Sequence, residues 1–206
     1  MKVFLIRHGE SEGNAKEIHQ SDDISLSDMG KNQAHKLGKR LQNLGIEVLL
    51  ASPIIRTQES AGIINEYLKV PLIYDPRLRE IRRPSEIVGR PLNDPEVMKI
   101  KELIKESHHT QYHYSDEENF FDLRTRVQEF LQELNTRDES VVAIVTHGIT
   151  MRMIMAEMFL GIDFTHELFH KIASFFFVTN TGVTICEHQD KVWHLLSWND
   201  HGHLHC

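Results

Sequence analysis

Hydrophobic and polar positions fall into short blocks along this chain, and each block has a readable period. Lys2 to Ile6 is short, apolar and β-branched, which predicts a strand buried on both faces. Gly9 to Ser25 is polar and turn-rich and predicts a loop or a short helix. In "SDMGKNQAHKLGKRLQNLG", Ser27 suits an N-cap, Asp28 the positive end of a helix dipole and Gly45 a helix stop. Ala34, Leu37, Leu41 and Leu44 recur there on one face. "EVLLAS" predicts a second buried strand, "IIRTQESAGIINEYLK" with Pro53 at its start a second amphipathic helix, and "PLIYD" a third strand. Repetition of strand and helix is the pattern of a parallel α/β sheet.

The rhythm breaks from Leu78 to about Ser115, where Pro84, Pro91 and Pro95 interrupt a charged stretch with one predicted helix near Glu96–Lys105. This predicts a small inserted lid at about residues 81–115, over one edge of the sheet, within a single domain spanning 1–206. "FFDLRTRVQEFLQELN" then predicts a helix and "SVVAIVT" a fourth strand. "ITMRMIMAEMFLG" predicts an apolar helix in which Met151, Met153, Met155 and Met158 pack into a core. Ser174–Thr179, Val183–His188 and Val192–Trp198 read as closing strands, the last two as a hairpin, with Phe175–Phe177 in the core.

Composition narrows the class. A chain of 206 residues with 40% hydrophobic and 26% charged residues is ordinary for a globular domain with one sizeable core. A formal net charge of -7 argues against general nucleic-acid binding, which needs a basic face. Two cysteines, Cys186 and Cys206, make no disulfide framework, so a cytoplasmic protein is expected. The first residues lack the pattern of a signal peptide, and no apolar stretch approaches the roughly 20 residues needed to span a bilayer, so no membrane partner is expected. There is no internal repeat and no low-complexity segment.

Candidate chemistry sits where strands end. The first strand runs into Arg7-His8-Gly9 and the fourth into His147-Gly148. Ligands of open parallel sheets bind beyond the carboxyl ends of the strands. His8 and His147 should therefore emerge on one rim, with Arg7, with Arg56 from the helix after strand two, and with Glu80 after strand three. Two arginines and two imidazoles around one point call for an anion, because the guanidinium fork matches phosphate oxygens bidentately. Gly9 and Gly148 let the backbone come close and offer N–H groups. A neutral imidazole can attack phosphorus, cations stabilise the transition-state charge, and a carboxylic acid of raised pKa can protonate the leaving oxygen. A zinc site would need Glu80 as third ligand beside two arginines that repel a dication, so no metal is expected. From spacing alone, either histidine could be the nucleophile.

The ordered motifs resemble one known family. "LIRHGES" with Asn14 six residues after His8, "LSDMGKNQA", "ASPIIRTQESA", "LREI", "VTHGITMR" and "LLSWNDHGHL" are similar, in that order over nearly the whole chain, to the signatures of the histidine phosphatase superfamily, also called phosphoglycerate mutase-like. The resemblance implies a three-layer α/β/α sandwich with a mostly parallel sheet. It implies that His8 is the phosphorylated nucleophile, that Arg7, Arg56 and His147 form the phosphate pocket, that Asn14 contacts the phosphate, that Gly148 is a backbone donor and that Glu80 is the proton donor. It also implies that no metal or organic cofactor is needed.

The chain departs from family patterns in its lid. "IRRPSEIVGRP" follows Glu80, without the "ExxYGxLxGxNK" motif of the sugar-phosphate mutases or the "GxWEG" of many phosphatases, and the stretch from Asn14 to Leu26 lacks the mutases' aromatic-glycine pattern. The expected activity is therefore hydrolysis of a phosphate ester, a small molecule with a phosphoprotein still open, and phosphoglycerate mutase-type transfer is the alternative. A non-catalytic phospho-ligand module would show a lost nucleophile or arginine, and all are present. Arg79, Arg82, Arg83 and Arg90 in the lid are either a solvated basic loop or the seat of a second anionic group. His108-His109 with His113, and His201, His203, His205 and Cys206 at the C-terminus, are weaker candidates, as metal ligands. The sequence leaves a homodimer open.

Overall fold

The computed structural model describes residues 1–106 and 111–205. Its strands are β1 (Lys2–Arg7), β2 (Val48–Ala51), β3 (Leu72–Tyr74), β4 (Val141–Thr146), β5 (Val183–Gln189) and β6 (Val192–Asp200). Its helices are α1 (Glu12–Ala15), α2 (Asp28–Leu41), α3 (Ile55–Leu68), α4 (Pro95–Glu106), α5 (Phe120–Leu134), α6 (Gly148–Leu160) and α7 (His166–Phe175). The strands form one sheet ordered β3-β2-β4-β1-β5-β6. The first four in that order are mutually parallel, and β5 and β6 close the sheet as an antiparallel hairpin.

Strand parity builds the layers, because successive side chains point to opposite faces of a sheet. Val3, Leu5, Val48, Leu50, Val142 and Ile144 pack with Leu123, Val127 and Phe130 of α5 and with Met151 and Ile154 of α6. Phe4, Ile6, Leu49, Ala51, Ala143 and Val145 pack with Ala34, Leu37 and Leu41 of α2 and with Ala61 and Ile64 of α3. The result is the expected three-layer α/β/α sandwich, with the methionines of α6 inside it.

Ser27 caps α2 as expected, its hydroxyl accepting from the Gly30 N–H. The helix ends at Leu41, however, so Leu44 falls beyond the apolar face and is 45% exposed. Gly45, at φ +71°, turns the chain four residues after Leu41.

The closing region differs from the expectation. Residues 166–175 form α7, capped by Thr165 and packed through Phe169, and no strand covers Ser174–Thr179. Phe175 is 81% and Phe177 68% exposed, so this run is not core. The reason lies in where its carbonyl groups go. Phe176 accepts from Arg152 Nε at 2.7 Å and Val178 from Arg7 Nη1 at 2.6 Å. Phe176 and Val178 thus direct these carbonyls to guanidinium groups of α6 and β1, not to a neighbouring strand.

Two peripheral candidates also resolve. His203 is buried against the Thr181 hydroxyl, and among the described residues no group of His, Cys, Asp or Glu is placed to hold a metal ion. His108, His109 and Cys206 lie outside the described residues, while His113 pairs with Asp122. No helix among the described residues is long and apolar enough to cross a membrane.

Candidate active site

Register brings the two histidines together. Arg7 of β1 lies opposite Thr146 of β4, so the residues that follow, His8 and His147, leave adjacent strands side by side. The His8 N–H donates to the Thr146 carbonyl at 3.0 Å, and the two rings lie 5.2 Å apart, centroid to centroid. β2 flanks β4 on its other side, and Ser52 at its end donates its N–H to the Val145 carbonyl. Three neighbouring strands thus deliver His8, His147 and Ser52 to one rim, where Arg7 and His8 line a cavity of about 840 Å³.

Hydrogen bonds settle the ring tautomers. The Gly9 carbonyl lies 2.6 Å from His8 Nδ1 and can only accept, so Nδ1 carries the proton and Nε2 offers its lone pair. The Ser52 hydroxyl accepts from the Ile54 N–H and lies 2.9 Å from His147 Nε2; it has no other acceptor among the described residues, so we assign its proton to that nitrogen. His147 Nδ1 is then the protonated nitrogen, and it has no partner among the described residues.

Both rings are neutral at pH 7. Burial, followed by the charges of His147, Arg56 and Arg7, pushes His8 well below the ordinary imidazole value, and only its bond to Gly9 opposes this. Burial and then the charges of Arg56, Arg7, Arg126 and Arg79 do the same to His147.

The cations converge as the sequence predicts. Arg7 is anchored through Nη1 to Val178, and Arg56, almost fully buried at the start of α3, through Nη1 to the Ser21 carbonyl. In each, Nε is buried without a protein partner. Five buried side-chain atoms lack a partner among the described residues, and three of them, on Arg7, Arg56 and His147, belong to this group around His8. Buried donors are costly to leave unpaired, so a triad of them marks a place for an acceptor. Asn14 lines the same cavity, its Oδ1 accepting from Ser11 and from Asn180, which leaves its Nδ2 as donor.

Gly9 does not play the role expected of it, and Glu80 starts from an unexpected charge environment. A Cβ on Gly9 would lie 2.5 Å from the Gly30 carbonyl oxygen, so its bareness admits α2, not a ligand, and its N–H donates to Ser60. Glu80 does reach the cavity, but it sits on the N-terminus of α6. Its carboxylate accepts from the N–H groups of Ile149 and Thr150, each at 3.1 Å, from its own neighbour Ile81 and from the Thr150 hydroxyl. Burial would raise its pKa. The Ile149 and Ile81 N–H groups, the charge of Arg83 and the Thr150 N–H outweigh burial and hold Glu80 below the ordinary carboxylate value. Burial alone therefore does not give Glu80 the raised pKa of a proton donor, and the charge of a docked phosphate is the other source the chemistry offers. Gly148 lines the cavity and keeps the helix-start N–H that Glu80 does not take.

Sequence reasoning missed three supporting residues. Ser52 sets the His147 tautomer, Asn180 ties the His8 carbonyl to Asn14, and Arg152 lies between Gly148 and Phe176 beside Arg7. Only Ser52 carried a signal, as the polar residue that ends the second strand. Ser52→Ala should lower kcat/KM for a phosphate ester by up to roughly 10²-fold, as misorientation of a reacting group does. A shift in the ¹⁵N resonances of the His147 ring would mark the changed tautomer. An unchanged ring spectrum would remove Ser52 from this role.

Among Arg79, Arg82, Arg83 and Arg90, pairing separates the cases. Arg90 is held by Asp94 and Glu96 and does not line the cavity, and Arg79 lines it but pairs with Asp22. Arg82 is exposed at the rim, and Arg83 lines the interior. The cavity wall as a whole carries eight Arg and Lys side chains against four carboxylates, a field that attracts anions although the chain is net acidic.

Known proteins share both the motifs and the architecture. Residues 3–201 match the family model of the histidine phosphatase superfamily, branch 1. A probable phosphoglycerate mutase, GpmB, of Erwinia tasmaniensis is 27% identical over 203 residues, 96% of this chain and 90% of its own length. The structure of Bacillus stearothermophilus YhfR superposes with a TM-score of 0.82 at 27% identity, covering 98% of both chains. A putative alpha-ribazole-5'-P phosphatase of Escherichia coli gives a TM-score of 0.83 at 20% identity over 98% of this chain and 97% of its own, a likeness of fold.

Proposed function

The chain belongs to the histidine phosphatase superfamily, branch 1, and on that footing we propose that it hydrolyses small-molecule phosphomonoesters through a phosphohistidine on His8, without a metal or organic cofactor. The observation that carries this reading is the ring of unpartnered donors, Arg7 Nε, Arg56 Nε and His147 Nδ1, around a histidine whose tautomer leaves Nε2 free. Such a set of cations and neutral donors suits a phosphoryl group and not a dication.

The phosphoryl oxygens dock against Arg7, Arg56, His147, Asn14 and the Gly148 N–H. His8 Nε2 attacks phosphorus in line, the ester P–O bond breaks, and Glu80 transfers a proton to the leaving oxygen. The ring gains positive charge, which the Gly9 carbonyl stabilises through Nδ1–H. Glu80, now a carboxylate, takes a proton from water as that water attacks phosphorus, and phosphate and free His8 result. Glu80 must first be protonated, and the negative charge of the docked phosphate raises its pKa towards that state.

Phosphoglycerate mutase-type transfer is the second reading, supported by the name of the Erwinia relative. A mutase must shield its phosphohistidine from water. Here the cavity mouth is lined by exposed Arg79, Arg82, Ser85 and Asp116, so water has access. The test is release of inorganic phosphate from a set of phosphomonoesters, in the presence of a chelator, with and without 2,3-bisphosphoglycerate. Hydrolysis predicts release that does not depend on the bisphosphate. Isomerisation of phosphoglycerate only when the bisphosphate is present, with no net release, would establish the mutase instead.

A further inference from the structure

Backbone hydrogen bonds strap the segment between β3 and α5 onto the loop after α1. His19 donates its N–H to the Arg90 carbonyl, the Gly89 N–H donates to the His19 carbonyl, and the Leu92 N–H donates to Glu17. This strap brings His19, Arg83 and Lys101 of α4 onto one part of the cavity wall. His19 is 7% exposed, and its Nε2 is a fourth buried atom without a partner. Arg83 and Lys101 make no side-chain hydrogen bond or ion pair among the described residues, whereas Arg79 and Arg126 on the same wall are paired with Asp22 and Glu118.

These groups form a pole distinct from the one at His8. Burial and then Lys101 and Arg83 push His19 down to about 4, and Arg7 and Arg56 play no part in that shift. The largest charges acting on His8 are those of His147, Arg56 and Arg7. Glu80 stands between the poles, since Arg83 acts on it while it acts in turn on Arg7 and Arg56. A single phosphoryl group at His8 leaves Lys101 uncompensated and Arg83 facing only the Glu80 carboxylate.

We propose that Arg83, Lys101 and His19 form a second anion subsite, so that the substrate is a phosphomonoester whose leaving group carries another anionic group, a carboxylate or a second phosphate. This rests on the hydrolase reading only for the position of the first phosphoryl group. The ester oxygen then lies beside Glu80, with the tail of the leaving group reaching towards α4.

The test is calorimetric binding to the full-length His8→Ala variant, which holds ligands without turning them over. Three matched ligands serve: propane-1,3-diol monophosphate, 3-(phosphonooxy)propanoate and propane-1,3-diol bisphosphate. One or both of the doubly anionic ligands should bind about tenfold more tightly than the alcohol, the worth of one charge-assisted contact. Adding Lys101→Gln or Arg83→Gln should shrink that ratio to about threefold or less. A structural defect would lower all three affinities together and leave the ratio intact. Equal affinities in His8→Ala, or a ratio that survives both glutamine substitutions, would overturn the subsite. Phosphate release from p-nitrophenyl phosphate by the unaltered protein reports separately on hydrolysis, and its absence would not touch the binding ratio.

Discussion

Replacing His8 with Ala is expected to lower phosphate release from p-nitrophenyl phosphate by roughly 10⁴-fold or more, the scale of losing a catalytic nucleophile. The expectation follows from the tautomer. Nδ1 is committed to the Gly9 carbonyl, Nε2 is unprotonated, and the low pKa imposed by burial and neighbouring cations keeps it so across the neutral range. The donors of Arg7, Arg56 and His147 do not depend on His8 for their anchors, so inorganic phosphate should still bind the variant. The signature is a collapse of kcat with phosphate affinity retained. An acid-labile phosphoenzyme should form in the wild type and be absent from His8→Ala. Full turnover by the variant would refute the mechanism. A phosphoenzyme persisting there would move the nucleophile to His147.

Glu80→Gln is expected to lower kcat for an alkyl phosphate by about 10² to 10⁴-fold, the range of general acid catalysis, and for p-nitrophenyl phosphate by far less. An aryl oxide leaves without a proton and an alkoxide does not. The ratio of the two losses isolates proton transfer from any loosening of α6, whose N-terminus Glu80 also caps.

The pH dependence has a definite sign. Glu80 is held below its ordinary value of 4.5 in the free protein, so at neutral pH it is a carboxylate until a phosphate docks. The wild-type kcat on alkyl esters should fall as pH rises through the pKa that Glu80 acquires in the complex. In Glu80→Gln that limb should vanish. In the free protein the same depressed pKa makes the carboxylate stabilising above 4.5, and that contribution is lost as the pH falls through the lower folded value. Equal losses on alkyl and aryl substrates would place the acid elsewhere.

Much of this site could be read from local pattern. An apolar run broken by a polar residue marks the carboxyl end of a buried strand, and that rule put His8 and His147 on one rim, with Arg56 joining them from the start of the helix after the second strand. The apolar helix pattern likewise foretold the packing of the α6 methionines into the core. These features depend on backbone preferences within a dozen residues. Where a local pattern was ambiguous it misled, as at Phe175–Phe177, whose hydrophobicity resembles a strand but whose carbonyls belong to Arg7 and Arg152.

What the fold alone decided is how distant groups pair. Sheet order set β4 between β1 and β2, and only then could Ser52 meet His147 across 95 positions and fix which nitrogen carries the proton. The same holds for Glu80, whose charge state depends on α6 N–H groups 69 and 70 positions away. It holds for the segment between β3 and α5, where Arg79 and Arg90 form ion pairs with carboxylates while, among the described residues, Arg83 and Lys101 form none. Residue type and local spacing specify what a side chain can donate or accept. Which partner it finds, how deeply it is buried and hence what proton it holds are set by long-range packing, which no local pattern encodes.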